Sequence, residues 1–303
     1  MSNKLWGIDL GGTKIEGIVL ASKENPTTLV RKRIETEADK GYEHVLNNIK
    51  KLIDLLSEEV GEHPTIIGIG TPGAIDPPTG LMKNSNSQSL NHKPFKKDLE
   101  ALLGIPTLMA NDANCFALAE AKMGIVPEVD PKAEVVFGVI MGTGCGGGVV
   151  VNGRVLNGKH GIGGEWGHNF LDASGGKCYC GKSGCTEKII SGTGLEDFYE
   201  QQTSTRKRLK EILPAARNGS DPVAVQTLDR LIHFFGLGIS TIINVLDPDV
   251  IVLGGGVGNT EELYTRGVVE ASKYVFNPRM ETKIVKPKLG DSAGVFGAAF
   301  LCE

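Results

Sequence analysis

The chain has 303 residues, 40% of them apolar and 22% charged, which suits a soluble globular protein of one large or two medium domains. A formal net charge of −4 gives no electrostatic argument for nucleic acid or an anionic membrane as partner. The N-terminus lacks a secretory pattern and no apolar run approaches the roughly 20 residues of a membrane span, so a cytoplasmic location is expected, where clustered cysteines more often hold metal than form disulfides.

From the N-terminus, Leu5 to Leu10 and Ile15 to Leu20 read as strands joined at Gly11-Gly12. Two basic runs, Arg31-Lys32-Arg33 and Arg206-Lys207-Arg208, are expected to be solvated surface. Val45, Leu46, Ile49, Leu52, Ile53 and Leu56 have helical spacing within residues 41–59. A short buried strand then runs into Pro72-Gly73, and another ends at Ala110 with a helix opening inside Asn111-Asp112-Ala113-Asn114. A second glycine-interrupted hairpin covers AEVVFGVIMGTGCGGGVVVNGRVL. Asp221-Pro222 starts a long helix reaching about Leu246, VIVLGGGVG is a strand and glycine turn, and Asp291 or Ser292 caps a last helix ending near Leu301. Each half of the chain opens with strand, glycine turn, strand. Two related α/β domains are expected, residues 1–118 with 290–303 and residues 119–289, with a cleft between them.

Glycines are concentrated at strand ends, in Gly11-Gly12-Thr13, Gly142-Thr143-Gly144 and Gly254-Gly255-Gly256. Backbone without side chains approaches a phosphate closely and aims its amides at the anion. Residues 7–14 are not a Walker loop, because Thr13 precedes Lys14 and a strand follows where a helix is needed. Gly142, Gly144 and Gly147 satisfy the spacing of a dinucleotide fingerprint, but strand follows there too. What remains is a phosphate-holding hairpin with Asp9 just before it, the layout of the actin-like ATPase and sugar kinase fold. Asp9 is then placed near the Mg²⁺ of ATP, through water, or else stabilises the turn.

Phosphoryl transfer to a hydroxyl needs an anionic base beside the acceptor oxygen. Asp112, between a strand end and a helix start, is the candidate, with a plain helix cap as the alternative. His168 followed by Cys178, Cys180 and Cys185 offers one imidazole and three thiolates, a closed set suited to structural Zn²⁺ with no position left for catalytic water. Glu165 and Glu187 flank this knot, which would hold both carboxylates toward one pocket. Cys115, Cys145 and Cys302 read as packing residues.

The segments IDLGGTK, GIGTPG, ANDANCFALAEA, GTGCGGG, GEWGH, CYCGKSGC and DPDVIVLGGG occur in this order over nearly the whole chain. Together they resemble the ROK family, and within it the sugar kinases. The resemblance implies the two-domain actin-like ATPase (ribonuclease H-like) sugar kinase fold and an ATP:sugar phosphotransferase using ATP with Mg²⁺ and structural Zn²⁺. It implies that Asp112 is the base and Asn111 a sugar ligand. Gly11, Gly12, Thr13 and Lys14 would form the first phosphate loop and Gly142, Thr143 and Gly144 the second, with Gly254, Gly255 and Gly256 beside the adenosine. Glu165 and Glu187 would bond sugar hydroxyls, and His168 would ligate zinc while its other ring edge faces the sugar. LMKNSNSQSLNHKPF, residues 81–95, with Asn86 and Gly73 as sugar contacts, looks like the fructokinase and mannokinase branch, giving a 6-phosphate. N-acetylglucosamine kinase or glucokinase is the runner-up. A sugar-responsive repressor is disfavoured because Asp9 is the ninth residue and no basic recognition element is evident; an inactive binding module would be expected to lose Asp112. A homodimer is the family's common form.

Overall fold

The computed structural model describes residues 4–303, apart from the side chain of Asp291. The chain divides into two compact units, residues 1–131, 148–164 and 288–303 in the first and residues 132–147 and 165–287 in the second. The expected division at residues 118 and 290 differs, because the chain re-enters the first unit at 148–164.

The first unit opens with β1 (Leu5–Leu10), β2 (Lys14–Leu20) and β3 (Thr28–Glu35), followed by α1 (Tyr42–Val60) and β4 (Ile67–Thr71). A small hairpin, β5 (Ala74–Ile75) and β6 (Met82–Lys83), precedes α2 (Phe95–Leu103), β7 (Thr107–Asn111), α3 (Asp112–Lys122) and the turn α4 (Val126–Val129). Sheet order is β3-β2-β1-β4-β7. The three-strand meander is antiparallel, whereas β4 and β7 run parallel to β1 and to each other. Helix α1 buries Ile49, Leu52, Ile53 and Leu56 with Ile8, Ile15 and Ile67 in one core. These are the residues at helical spacing in α1 and alternate residues in the strands.

In the second unit come β8 (Val135–Met141) and the start of β9 (Cys145–Val151), whose second half belongs to the first unit with β10 (Arg154–Val155). Then follow α5 (Glu187–Ile190), α6 (Gly192–Thr203), α7 (Leu209–Arg217), α8 (Pro222–Leu246), β11 (Val250–Gly254), α9 (Gly255–Gly258), α10 (Val268–Ser272) and β12 (Lys283–Val285). β8, β11 and β12 are parallel neighbours with β9 on the other side of β8, repeating the β2-β1-β4-β7 order of the first unit. Both halves therefore present a hairpin turn and a strand end carrying glycine.

The chain closes with α11 (Ala293–Phe300), back in the first unit. Its packing is close enough that a Cβ on Gly7 would lie 2.5 Å from the Ala299 amide nitrogen. The Ser292 hydroxyl does not cap this helix and instead accepts a hydrogen bond from Arg31; the Asp291 side chain lies outside the described residues. Glu120 is fully buried and accepts from the amides of Ile125, Lys288 and Leu289, which fixes the returning segment onto α3.

Helix α8 corrects one expectation. It is long and apolar enough to cross a membrane by length and composition. Its Leu228, Leu231, Phe235, Ile239 and Ile243 are nevertheless buried, so it serves as a core helix of its unit. Asp221 caps it as expected, with Oδ1 accepting from the amides of Val223 at 3.0 Å and Ala224 at 3.1 Å.

Candidate functional site

In the first unit, the turn between β1 and β2 closes with the Gly11 amide donating to the Lys14 carbonyl at 3.0 Å. Gly12, Thr13 and Lys14 form its exposed tip. Thr36 holds the turn from behind: its amide donates to the Thr13 carbonyl at 2.8 Å and its hydroxyl to the Gly11 carbonyl at 2.7 Å. The tip amides thus face solvent from a fixed base, as an anion cradle requires. Ser87 lies on the same side, its Oγ 4.0 Å from where a Gly12 Cβ would stand.

Asn111 and Asp112 share the head of α3 but divide the work. Asn111 is the cap, accepting from the Ala113 amide at 2.9 Å. The capping role that offered an alternative explanation of Asp112 therefore falls on its neighbour. Asp112 accepts from the same amide through Oδ1 at 2.7 Å. Its residue is open to water, yet the protein around it thins the bulk solvent that would screen its charge. That desolvation pushes its pKa upward, against the pull of the Ala113 amide and the Asn111 side chain.

Asp9 is the last residue but one of β1 and half-buried, with no hydrogen bond or ion pair to its carboxylate among the described residues. Its pKa is pushed up to about 7, first by burial, then by the carboxylates of Asp112 and Glu16, while Arg33 pulls the other way. On the α11 side the space is clear because residue 294 is glycine; a Cβ there would sit 2.7 Å from Asp9 Oδ2. An unpartnered carboxylate beside a phosphate-type turn is a fit for a hard, oxygen-loving cation such as Mg²⁺.

This shift makes a pH prediction for the ligand-free protein. The folded value of about 7 lies above the unfolded value of about 3.9, so ionising Asp9 costs stability. That cost is absent below about pH 4, grows through the window between the two values and is complete above about pH 7. Asp9→Asn is expected to raise the thermal midpoint by about 2–4 °C at pH 8, with the gain shrinking toward pH 4. A gain of equal size at every pH in a melting series would contradict it.

Gly73 packs against residues 83–85, where its Cβ would come within 2.6 Å of the Lys83 carbonyl oxygen, and Asn86 is exposed on the loop that follows. Asn91 holds that loop from inside, accepting from the Ser85 amide and donating to the Ser85 carbonyl, both at 2.9 Å.

The second unit holds the other glycine clusters and the knot. The Gly142 amide donates to the Gly144 carbonyl at 2.9 Å, leaving Thr143 exposed at the tip. Gly255 and Gly256 are exposed after β11. Gly255 has φ +79°, and a Cβ there would stand 2.3 Å from the Met141 carbonyl oxygen, so only glycine fits.

His168, Cys178, Cys180 and Cys185 bring their ligand atoms within 4.8 Å of one another. Cys180 and Cys185 Sγ are 3.6 Å apart, and Cys178 Sγ is 3.7 Å from His168 Nδ1. A tetrahedral zinc with bonds of roughly 2.3 Å to sulfur and 2.0–2.1 Å to nitrogen sets these separations at roughly 3.8 and 3.5 Å, so the donor set fits. Gly184 allows the loop to close, with φ +76° and the Asp172 carbonyl oxygen 2.6 Å from where its Cβ would be.

Two findings here were not expected. His168 Nε2, the ring edge expected to face sugar, meets the Tyr179 hydroxyl at 3.0 Å. Glu187 Oε2 accepts from the Cys145 amide at 3.0 Å, tying the end of the knot to the glycine hairpin. Glu165 stands just before the short helical turn 166–168 and is half-buried. Cys115 and Cys145 are buried, in keeping with packing roles.

The basic runs lie at the surface as expected, with Arg31, Arg33, Arg206 and Arg208 exposed, and ion pairs tie them down there. Arg31 and Arg33 both pair with the buried Glu16, while Lys32 between them pairs with Glu59 on α1. Strand alternation was the signal, since residues 31 and 33 share one face of β3. In the second run, Arg206 pairs with Asp197 and Glu200, Lys207 with Asp221, and Arg208 with Glu196.

Two units, each with a hairpin turn of glycine at its sheet and parallel strands beyond, constitute the fold of the actin-like ATPases and sugar kinases. The ROK family pattern matches residues 5–303. An N-acetyl-D-glucosamine kinase of Vibrio atlanticus (strain LGP32) is 36% identical over 306 residues, covering 98% of each chain. Among solved structures, the ROK hexokinase from Thermus thermophilus is 32% identical with a TM-score of 0.87, over 98% of this chain and 97% of that one. A ROK family glucokinase from Streptomyces griseus, solved with glucose and AMPPNP, is 27% identical with a TM-score of 0.76 over 98% of both chains. The chain belongs to the ROK family.

The fructokinase and mannokinase branch expected from residues 81–95 is not the one for which that curated relative is named. The structure supplies a reason. Asn91 and its neighbours in this stretch build the loop itself, so its composition reports on loop folding more than on a sugar.

Proposed function

We propose that this ROK-family chain is an ATP-dependent sugar kinase acting on the 6-hydroxyl of N-acetyl-D-glucosamine. The observation that carries the kinase reading is Asp112, a carboxylate at the head of α3 whose capping duty is taken by Asn111. The choice of sugar is supported by the curated relative, which is 36% identical over 98% of the chain.

In this mechanism Asn111 binds a sugar hydroxyl and Asp112 takes the proton of the acceptor hydroxyl as its oxygen attacks the γ-phosphorus of ATP. The bond from that phosphorus to the ADP oxygen breaks, leaving the sugar 6-phosphate and ADP. The raised pKa of Asp112 makes it a better proton acceptor near neutrality than an ordinary carboxylate. The amides at Gly11 to Lys14 and at Gly142 to Gly144 hold phosphate oxygens, and Gly254 to Gly256 flank the adenosine. Asp9 would hold the nucleotide's Mg²⁺, which would supply neutralisation of the transferring phosphate's charge. Gly73, Asn86, Glu165 and Glu187 complete the sugar contacts, and His168 with Cys178, Cys180 and Cys185 would hold a structural Zn²⁺.

A coupled assay of ADP release with N-acetylglucosamine, glucose, mannose and fructose tests the reading. The expected result is a kcat/KM for N-acetylglucosamine at least about tenfold above the others, on the order of one good polar or apolar contact to the acetamido group. Faster turnover of fructose or mannose would restore the other branch, and sugar binding without turnover would favour a sugar-responsive regulator.

A further inference from the structure

We propose that Glu16 is a positioning residue that keeps the cation site at Asp9 open by holding Arg31 and Arg33 away from it. The proposal rests on the function proposed above, in which Asp9 holds the Mg²⁺ of the nucleotide.

Asp9, Glu16 and Arg33 form one row across β1, β2 and β3, because Asp9 is registered with Glu16 and Glu16 with Arg33. Arg31 is two residues along β3 on the same face. The central member of the row takes both cations. Arg33 Nη2 donates to Glu16 Oε2 at 2.8 Å, Arg31 Nε donates to Oε1, and Arg31 Nη2 is held at its far side by the Ser292 hydroxyl. Glu16 is 6% exposed, so little water competes for it. Asp9, on the neighbouring strand, is left with no partner among the described residues. Neighbouring strands are about 4.8 Å apart, so an arginine on β3 reaches Asp9 only by passing over Glu16.

A buried carboxylate between two guanidinium groups is costly unless it is fully satisfied, and a stable fold needs none of the three. Its placement makes sense as a guard. With Glu16 neutral, Asp9 is the carboxylate left to Arg33 within this row, and a guanidinium there would occupy the position a divalent cation needs. The row therefore assigns the arginines to one carboxylate and reserves the other.

The test uses the full chain, with Mg²⁺ binding to the protein–ADP complex read by titration calorimetry and Mg²⁺ activation of turnover read in parallel. Glu16→Gln is expected to weaken Mg²⁺ about tenfold, in line with a cation brought within a few ångströms of the site at intermediate dielectric. Glu16→Gln with Arg33→Met is expected to return affinity to within about threefold of the parent, because the displaced cation is gone. Arg33→Met alone should leave Mg²⁺ binding unchanged or tighter, which decides the matter even if Glu16→Gln fails to fold. Weaker Mg²⁺ binding in Arg33→Met, no loss in a folded Glu16→Gln, or no rescue in the double variant would each overturn the proposal and leave the cluster as a plain brace. A parent protein that binds no Mg²⁺·ADP and turns over no sugar would instead refute the function on which it rests.

Discussion

Asp112→Asn is expected to lower kcat for sugar phosphorylation by about 10²–10⁴-fold, the usual contribution of a general base and equivalent to roughly 3–5 kcal/mol of transition-state free energy. The sugar KM should stay within a few-fold, because asparagine keeps the shape and hydrogen-bonding reach of the side chain while losing the ability to accept a proton. Folding should be nearly unaffected. The helix loses a favourable charge at its first turn, worth about 0.3–1 kcal/mol, but sheds a carboxylate that its surroundings already push toward neutrality. Asn111→Ala should behave in the opposite way in stability, losing about 1 kcal/mol with the cap. Steady-state kinetics and thermal melts of the two variants separate these roles. Turnover within tenfold of the parent in Asp112→Asn would remove it as the base.

Stripping metal from the knot, by a strong chelator or by Cys180→Ser, is expected to have the largest effect on stability. The segment between His168 and Glu187 is tied chiefly to itself, by backbone bonds such as Leu171 amide to Gly184 carbonyl and Thr186 amide to Asn169 carbonyl. Among the described residues its strand-like pairing is limited to the isolated bridges Phe170–Cys185 and Lys177–Ser183, and its large side chains Phe170 and Tyr179 are 70% and 77% exposed. Four ligands on a structural zinc supply on the order of 10 kcal/mol in small zinc domains, far beyond what those contacts provide. Loss of one zinc per chain by atomic absorption should therefore accompany a fall in thermal midpoint of more than about 5 °C. The sugar KM should rise at least about tenfold. Glu187 stands at the far end of the loop, its Oε2 accepting from the Cys145 amide, and Glu165 precedes the first ligand, so disorder in the loop unsettles both carboxylates. Zinc-free protein with unchanged melting and unchanged KM would sink the bracing role.

Much of the architecture was legible because it is written in local chemistry. Asp221-Pro222 and the helical spacing after it define α8 to within a residue of where it runs. The glycine turns, the strands around them and the clustering of His168 with the three cysteines follow from spacing alone, since a hairpin or a tight loop is closed by residues near each other in the chain. The head of α3 was placed as well, although which of Asn111 and Asp112 serves as cap was settled only by the backbone there.

The tertiary structure decided what depends on distant residues. Arg31 reaches Ser292, 261 positions away, and no window of sequence contains both. As a run of three basic residues the segment reads as surface, and Arg31 and Arg33 are exposed, but a strand alternates its faces, and both reach the buried Glu16 on the neighbouring strand. In the same way Glu187 came to hold the Cys145 amide, and residues 148–164 returned to the first unit. A short-range pattern fixes how a segment folds; which buried charge meets which is set by the packing of segments far apart, because an ionic group leaves water only where a partner has been brought to it.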